Sequence, residues 1–247
     1  IYKQLMLKHI TLRILKLFDS HYQTKIFKFL KKENFKNFDV FFDVGAHKGE
    51  SIDLFSKNFN IKEIYSFEPS PENFKILKKN RYKLQTKFKD LKIILENYAL
   101  GSKKRELTLK QVNESSSSTI TDINRNSKYL KRKSFFLNLL DNDKLYYDVN
   151  IQQIKLIDYL NEKNLNKVDF LKIDTEGYEY EVLKGLENDI SKISLIMFEH
   201  HYHDMLVKNY TFSDIHSLLI KKNFKKIYKS KMPFRKTFEY IYINNKL

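Results

Sequence analysis

The chain has 247 residues, 42% of them hydrophobic, which suits one α/β core and makes a second independent domain unexpected. It contains no cysteine, which excludes disulfides, Cys-ligated zinc and iron–sulfur clusters. A formal charge of +16 is the footprint a nucleic-acid binder would leave, but the excess is mostly lysine scattered along the chain and arginine is sparse. A lysine-rich surface, loosely attracted to anionic glycans or lipid head groups, accounts for the charge as well.

Residues 1–36 read as a helical extension on a domain spanning 37–247. Leu5 to Leu30 places apolar residues at helical spacing, interrupted by Lys8, Arg13 and Lys16, so no run reaches the ~18 apolar residues of a membrane-spanning helix. A docked helix is the expectation, and a basic amphipathic helix on a membrane surface the alternative. The corresponding location is cytoplasmic, with peripheral membrane association left open.

Val40, Phe41, Phe42 and Val44 form an apolar run of the kind found in strands covered on both faces. Gly45 follows at once, where the backbone can turn sharply and a ligand can approach the main chain closely. Gly49 lies four residues on, at the start of a helix expected over Lys48–Phe59, whose free N–H groups would face a ligand. Two glycines in a G-x-x-x-G pattern fall short of the dinucleotide fingerprint. The next strand, Glu63–Phe67, ends in Glu68, Pro69, Ser70 and Pro71. An acidic residue there, about 20 residues after the glycine turn, can accept hydrogen bonds from two ribose hydroxyls. Ser70 and Pro71 then read as N-cap and first residue of a helix running to Lys87.

Three blocks, Asp43–Glu50, Ser66–Phe74 and Leu171–Glu179, occur in an order that resembles the FkbM family of S-adenosylmethionine-dependent methyltransferases. The resemblance covers roughly Val40 to Glu199. It implies a three-layer, Rossmann-like α/β fold with a seven-stranded, mostly parallel sheet, and S-adenosylmethionine as cofactor. It places the cofactor against Asp43, Gly45, Ala46, His47, Gly49, Glu50, Glu68, Pro69 and Asp174. The strand Lys92–Leu95 opens toward Asn97 and Ala99, which the resemblance makes candidates for the adenine contact. The acceptor it implies is a hydroxyl on a sugar, glycolipid or related small molecule, with no nucleic acid expected. A nucleic-acid methyltransferase and a non-catalytic nucleotide-binding protein remain the alternatives, and the oligomeric state is unassigned.

Residues 101–150 interrupt the pattern and read as an insertion. Glu106–Val112 alternates like a strand, Ser115–Thr119 is a polar run, and Lys128–Leu140 mixes cations with apolar residues. The polar run reads by composition as a flexible loop, while the resemblance, which includes a Ser-Ser pair here, implies a lid whose Ser117 and Ser118 meet the acceptor. A strand over Val149–Gln153 and a helix over Lys155–Asn161 lead to Val168–Ile173, the expected neighbour of the first strand. Asp174 and Glu176 follow it, where doubly wound folds bind ligands. Asp174 suits the methionine ammonium or the acceptor, and Glu176 an acceptor hydroxyl, a general-base task or a divalent ion. Glu179 reads as an offset to the dipole of the helix Tyr178–Leu186. The strand Ser194–Phe198 runs into Glu199, His200, His201, Tyr202, His203 and Asp204. Histidine titrates near neutral pH, so His200 or His201 is a candidate base and His203 a candidate acceptor contact; no metal site is assigned. A helix over Phe212–Lys221 and strands Lys225–Tyr228 and Phe238–Ile243 close the sheet.

Overall fold

The computed structural model describes residues 22–112, 118–136, 146–233 and 235–246. Helix α1 (residues 22–32) leads into β1 (Asn37–Val44), the short α2 (Glu50–Ser56), β2 (Asn60–Phe67), α3 (Pro71–Lys87) and β3 (Lys92–Glu96). The interrupted region holds β4 (Ala99–Gly101), β5 (Arg105–Val112), β6 (Asp122–Ile123), α4 (Lys128–Phe136) and the start of β7 (Tyr146–Lys155). Then come α5 (Leu156–Glu162), β8 (Val168–Ile173), α6 (Glu179–Lys184), β9 (Ile193–His201), β10 (Leu206–Val207), α7 (Phe212–Lys221), β11 (Phe224–Lys231) and β12 (Thr237–Asn244).

The main sheet has the order β11-β12-β9-β8-β1-β2-β3. Strands β9, β8, β1, β2 and β3 are mutually parallel, while β12 and β11 run antiparallel at one edge. The seven-stranded, mostly parallel sheet expected from the sequence is therefore present. Chain order reverses between β1 and β8, so the carboxyl ends of these two strands flank the crevice where ligands bind in such sheets.

Both faces of the sheet are covered, which explains the near-continuous apolar strands. One face packs Phe42, Phe67, Leu171, Ile173, Ile196 and Phe198 against residues of α5, α6 and α7. The other packs Phe41, Phe170 and Met197 against Ile26 and Leu30 of α1, Ile52 and Phe55 of α2, and Leu77 of α3. Phe41 and Phe170, paired across β1 and β8, stack with centroids 4.9 Å apart. Full burial of such a ring contributes roughly 1.5–3 kcal/mol. The part of the extension that can be described, α1, is thus built into the core, while residues 1–21 lie outside the described residues.

Local signals set several boundaries. The Ser70 hydroxyl accepts the Asn73 N–H at 3.2 Å and Pro71 takes the first helical position, fixing the start of α3. Thr211 and Asp214 form a reciprocal capping box at α7. Two expectations need correction. Helix α2 is confined to Glu50–Ser56, because Gly49 enters it with φ +93° and the turn before it is consumed by the glycine loop. Residues Glu199–His201 are strand, since pairing with Thr237–Glu239 of β12 carries β9 to His201. Two small sheets involve the region between β3 and α5: β7 pairs antiparallel with β5 and parallel with β4, and β6 pairs antiparallel with β10.

Candidate functional site

The glycine loop folds back on the end of β2. Gly45 and Ala46 both donate their N–H to the Phe67 carbonyl, at 2.9 and 3.0 Å, and Gly49 donates to the Ala46 carbonyl at 2.8 Å. The His47 N–H donates to Glu68 Oε2 at 2.8 Å and the Lys48 N–H to Glu50 Oε2 at 3.1 Å. The N–H groups of residues 45–49 are therefore occupied within the protein, and a ligand at this loop would meet the N–H groups of the first turn of α2. Gly45 has a structural cause as well: its φ is +87°, and a Cβ there would lie 1.9 Å from the Asp174 carbonyl oxygen. The end of β8 is what approaches the glycine.

Glu68 stands where the sequence placed it, at the carboxyl end of β2, and is only 5% exposed. Oε1 accepts the Ser70 N–H at 2.9 Å, Oε2 the His47 N–H, and the Asn73 side chain is a third partner, which still leaves acceptor capacity on the carboxylate for a further donor. Burial pushes its carboxyl up to about 7 against the opposing pull of those two N–H groups. Asn97 donates to the Glu68 and Pro69 carbonyls at 2.8 and 3.2 Å, so it pins the segment that carries Glu68. Ala99 is buried with Leu109 and Ile151 under the small sheet. His47 and Glu50 pair at 3.1 Å on the rim of the loop.

At the β1–β8 crevice three charged groups meet. Asp43 on β1 lies opposite Lys172 on β8, with Lys172 Nζ 3.1 Å from Asp43 Oδ1 and 3.5 Å from Asp174 Oδ2. Asp43 is fully buried and its Oδ2 has no hydrogen-bond partner among the described residues. Burial raises the Asp43 carboxyl despite Lys172. Burial also works against the charge of Lys172, but Asp43 and Asp174 outweigh it and raise its ammonium above the ordinary lysine value. Asp174 feels burial too, but Lys172 and a hydrogen bond from Glu199 hold its carboxyl low. Burial, with Asp174 and Glu176 beside it, raises the Glu199 carboxyl well above its ordinary value.

The acidic loop after β8 is held in a strained shape. Glu176 has φ +50°, a conformation costly for a residue with a Cβ. Thr119 Oγ1 donates to the Glu176 carbonyl at 2.7 Å and Thr121 Oγ1 to the Gly177 carbonyl at 2.9 Å. Glu179 accepts from the Thr175 hydroxyl at 3.1 Å, the Gly177 N–H at 2.9 Å and the Tyr210 hydroxyl. Its task is therefore to shape this loop, beyond the dipole offset expected for it. The strain presents the Glu176 carboxylate to His201, with Oε2 3.2 Å from Nε2.

The structure divides the histidines. Residues alternate across a strand, so Glu199 and His201 share one face of β9 and His200 takes the other. His200 packs edge-on against Tyr202, Tyr210 and Phe212, and burial with the nearby Lys208 charge pushes its imidazole down to about 3. His203 lies 5.0 Å from the His201 ring and stacks on Tyr129 of α4 at 4.1 Å. The insertion is thereby seated on the acidic loop and the histidine strand, and the Ser127 hydroxyl adds a 2.6 Å bond to Asp204. Ser118 lies next to Thr119 in this segment, and Ser117 is outside the described residues.

The sequence reading missed Lys172, Glu199 and Tyr129 as site residues. Two signals were present: a lone lysine in the buried strand Val168–Ile173, and an aspartate, Asp43, within the apolar run at the matching place in β1. Among the described residues no group of three or more His, Cys, Asp or Glu side chains is disposed to hold a metal ion.

The sequence model of the family described as "Methyltransferase FkbM domain" matches residues 43–226. The chain belongs to the FkbM methyltransferase family. Membership makes this a methyltransferase domain with S-adenosylmethionine as methyl donor. Among solved structures it is similar to the FkbM methyltransferase of Methylobacillus flagellatus KT, at 17% identity and a TM-score of 0.50. That likeness covers 83% of this chain and 43% of the other, so the chain spans less than half the length of that relative. It also resembles M. capricolum TrmK in complex with S-adenosyl-homocysteine (14% identity, 84% and 62% covered, TM-score 0.44). A ribosomal protein L11 methylase from Lactobacillus delbrueckii subsp. bulgaricus resembles it similarly (12% identity, 90% and 79% covered, TM-score 0.46). No curated protein matches the sequence.

Proposed function

We propose that the protein is an O-methyltransferase acting on a hydroxyl of a sugar, glycolipid or related metabolite. The observation that carries this reading is the Glu176–His201 pair, 3.2 Å apart at the mouth of the crevice and separate from Glu68. The residues present suit the methyl donor. Glu68 keeps acceptor capacity for ribose hydroxyls, and the buried Oδ2 of Asp43, unpartnered among the described residues, marks the β1–β8 end as short of a donor, which an amino-acid ammonium supplies. When bound, the cofactor supplies a sulfonium methyl already activated for displacement by an oxygen nucleophile.

The chain's own residues then have two tasks, to hold the acceptor oxygen in line and to take its proton. Glu176 is the group that reaches the acceptor, because its side chain is 20% exposed while that of His201 is 5% exposed. His201 stands behind it as the positioning partner. Asp174, kept ionised by Lys172 and the hydrogen bond from Glu199, faces the same crevice. Tyr129 of α4 and His203, just after β9, stack as a wall near His201, and Ser118 remains a proposed acceptor contact. Cytoplasmic placement fits this reading, and no helix among the described residues is long and apolar enough to cross a membrane.

The test is mass spectrometry of the purified protein incubated with isotopically labelled S-adenosylmethionine, a panel of glycans and glycolipids, and an RNA control. The reading expects label in a sugar as an alkali-stable methyl ether. Label only in RNA, or only in an alkali-labile ester, would overturn the choice of acceptor.

A further inference from the structure

The excess charge of the chain is not evenly spread. Between Pro71 and Lys92 there are eight lysine or arginine side chains against two carboxylates, so this stretch supplies six of the sixteen net charges. Helix α3 buries Phe74, Leu77 and Leu84 against the sheet. By the 100° step of a helix, Lys75, Lys79, Tyr82 and Lys83 then project from the opposite side, with Lys78 and Ile76 flanking them. Lys87 pairs with Asp53 and Lys92 with Glu63, but among the described residues Lys75, Lys78, Lys79 and Lys83 have no ion-pair partner. Tyr82 is 78% exposed in the midst of these cations and Ile76 is 38% exposed. A surface cavity lined by Lys78, Arg81, Tyr82 and Leu95 lies beside them, against the edge strand β3.

We propose that the outer face of α3 docks on an anionic membrane surface. The chemistry of the face chooses this occupant. Lysine ammoniums are compact, strongly hydrated point charges that suit the diffuse field of lipid head groups, whereas bidentate phosphate and base readers are arginines, of which α3 has one. A tyrosine projecting among lysines matches the amphipathic ring found at the head-group level of membranes. Single-stranded nucleic acid is held by successive aromatic platforms in a groove, and this convex helix offers a single exposed ring. The helix begins three residues after Glu68, so docking through it keeps the cofactor edge beside the lipid surface, within reach of a membrane-borne acceptor.

The experiment is co-sedimentation of the full chain with vesicles of neutral phosphatidylcholine, and with vesicles in which about a third of the lipid is phosphatidylglycerol. Three variants are compared: Lys75→Glu/Lys79→Glu/Lys83→Glu on α3, Tyr82→Ser, and a charge-matched control, Lys103→Glu/Lys104→Glu/Lys221→Glu, at exposed positions elsewhere. The wild type should bind anionic but not neutral vesicles, and less at high salt. Each lysine near such a surface is worth roughly fivefold in partition, so removal of three attractions alone costs roughly 100-fold and the charge-reversed α3 variant should lose at least that, Tyr82→Ser a smaller factor, and the control markedly less than the α3 variant. Unchanged S-adenosylhomocysteine affinity verifies that the variants are folded. Absence of binding to anionic vesicles, or equal loss in the α3 variant and the control, would overturn the proposal. So would tighter binding of a single-stranded RNA that the α3 substitutions abolish while vesicle binding persists.

Discussion

Replacing Lys172 with methionine keeps most of the side-chain volume and removes the ammonium that faces both Asp43 and Asp174. The two carboxylates would not suffer equally. Asp174 is 39% exposed and can draw on water, whereas Asp43 is fully buried, so the loss concentrates on Asp43. Removing one member of a buried pair costs about 3–5 kcal/mol because a charge is left uncompensated. For a chain of this length that is a fall in thermal midpoint on the order of 10 °C. The variant can escape part of the loss by protonating Asp43, whose carboxyl already lies above its ordinary value through burial. A folded-state pKa above the unfolded one means the folded state holds the proton more tightly. Stability is then retained below the ordinary carboxylate value and lost as the pH rises through the raised one. Lys172→Met should therefore be more damaging at pH 8 than at pH 5, measured by urea unfolding followed by circular dichroism. The double variant Lys172→Met/Asp43→Asn should recover most of the loss, since neither charge then remains. A deficit under about 1 kcal/mol, no dependence on pH, or a double variant worse than the single one would refute this account of the crevice.

Glu68 carries its own pH signature. With its carboxyl near 7, S-adenosylhomocysteine affinity by calorimetry should fall as the pH drops from 8 to 6, because the protonated group loses acceptor capacity; a flat profile would remove Glu68 from the ribose. The contribution of that proton to apo stability has the opposite course, present at low pH and lost as the pH rises through about 7. Gly45→Ala should lower stability by on the order of 3 kcal/mol or more in thermal unfolding, given the positive φ and the 1.9 Å approach to the Asp174 carbonyl; a loss within experimental error would mean the two strand ends separate freely. His200→Leu should leave the pH–rate profile unchanged, since that imidazole stays neutral down to about 3, whereas His201→Leu should alter it; the reverse pattern would exchange their roles.

The architecture was legible because its causes are local. Apolar runs with β-branched and aromatic residues marked β1, β2, β8 and β9, and a serine followed by proline marked the start of α3. The carboxylates at the ends of β2 and β8 were legible for the same reason, since a charged residue closing a buried strand has few places to go. Other features depend on partners distant in sequence. His200 and His201 look equivalent as a tandem pair, and only the pairing of β9 with β12 turns alternation into a division between an aromatic pocket and the crevice. Lys172 could be recognised only with Asp43 opposite it, 129 residues away. The glycine loop shows the same dependence: its N–H groups bond to Phe67, Glu68, Ala46 and Glu50, and Gly45 admits the neighbouring strand end, neither of which the G-x-x-x-G spacing alone displays.

The central claim is that cofactor binding and proton removal are carried by different carboxylates on different strands. Glu176→Gln tests it most directly, because the substitution preserves size and hydrogen bonding while removing the charge. S-adenosylhomocysteine affinity and the rate of labelled-methyl transfer are measured on the same preparation. The account predicts unchanged affinity with a rate lower by ~10²-fold or more, as for a lost general base. Affinity falling in step with the rate would place Glu176 on the cofactor, and an unchanged rate would contradict its role altogether.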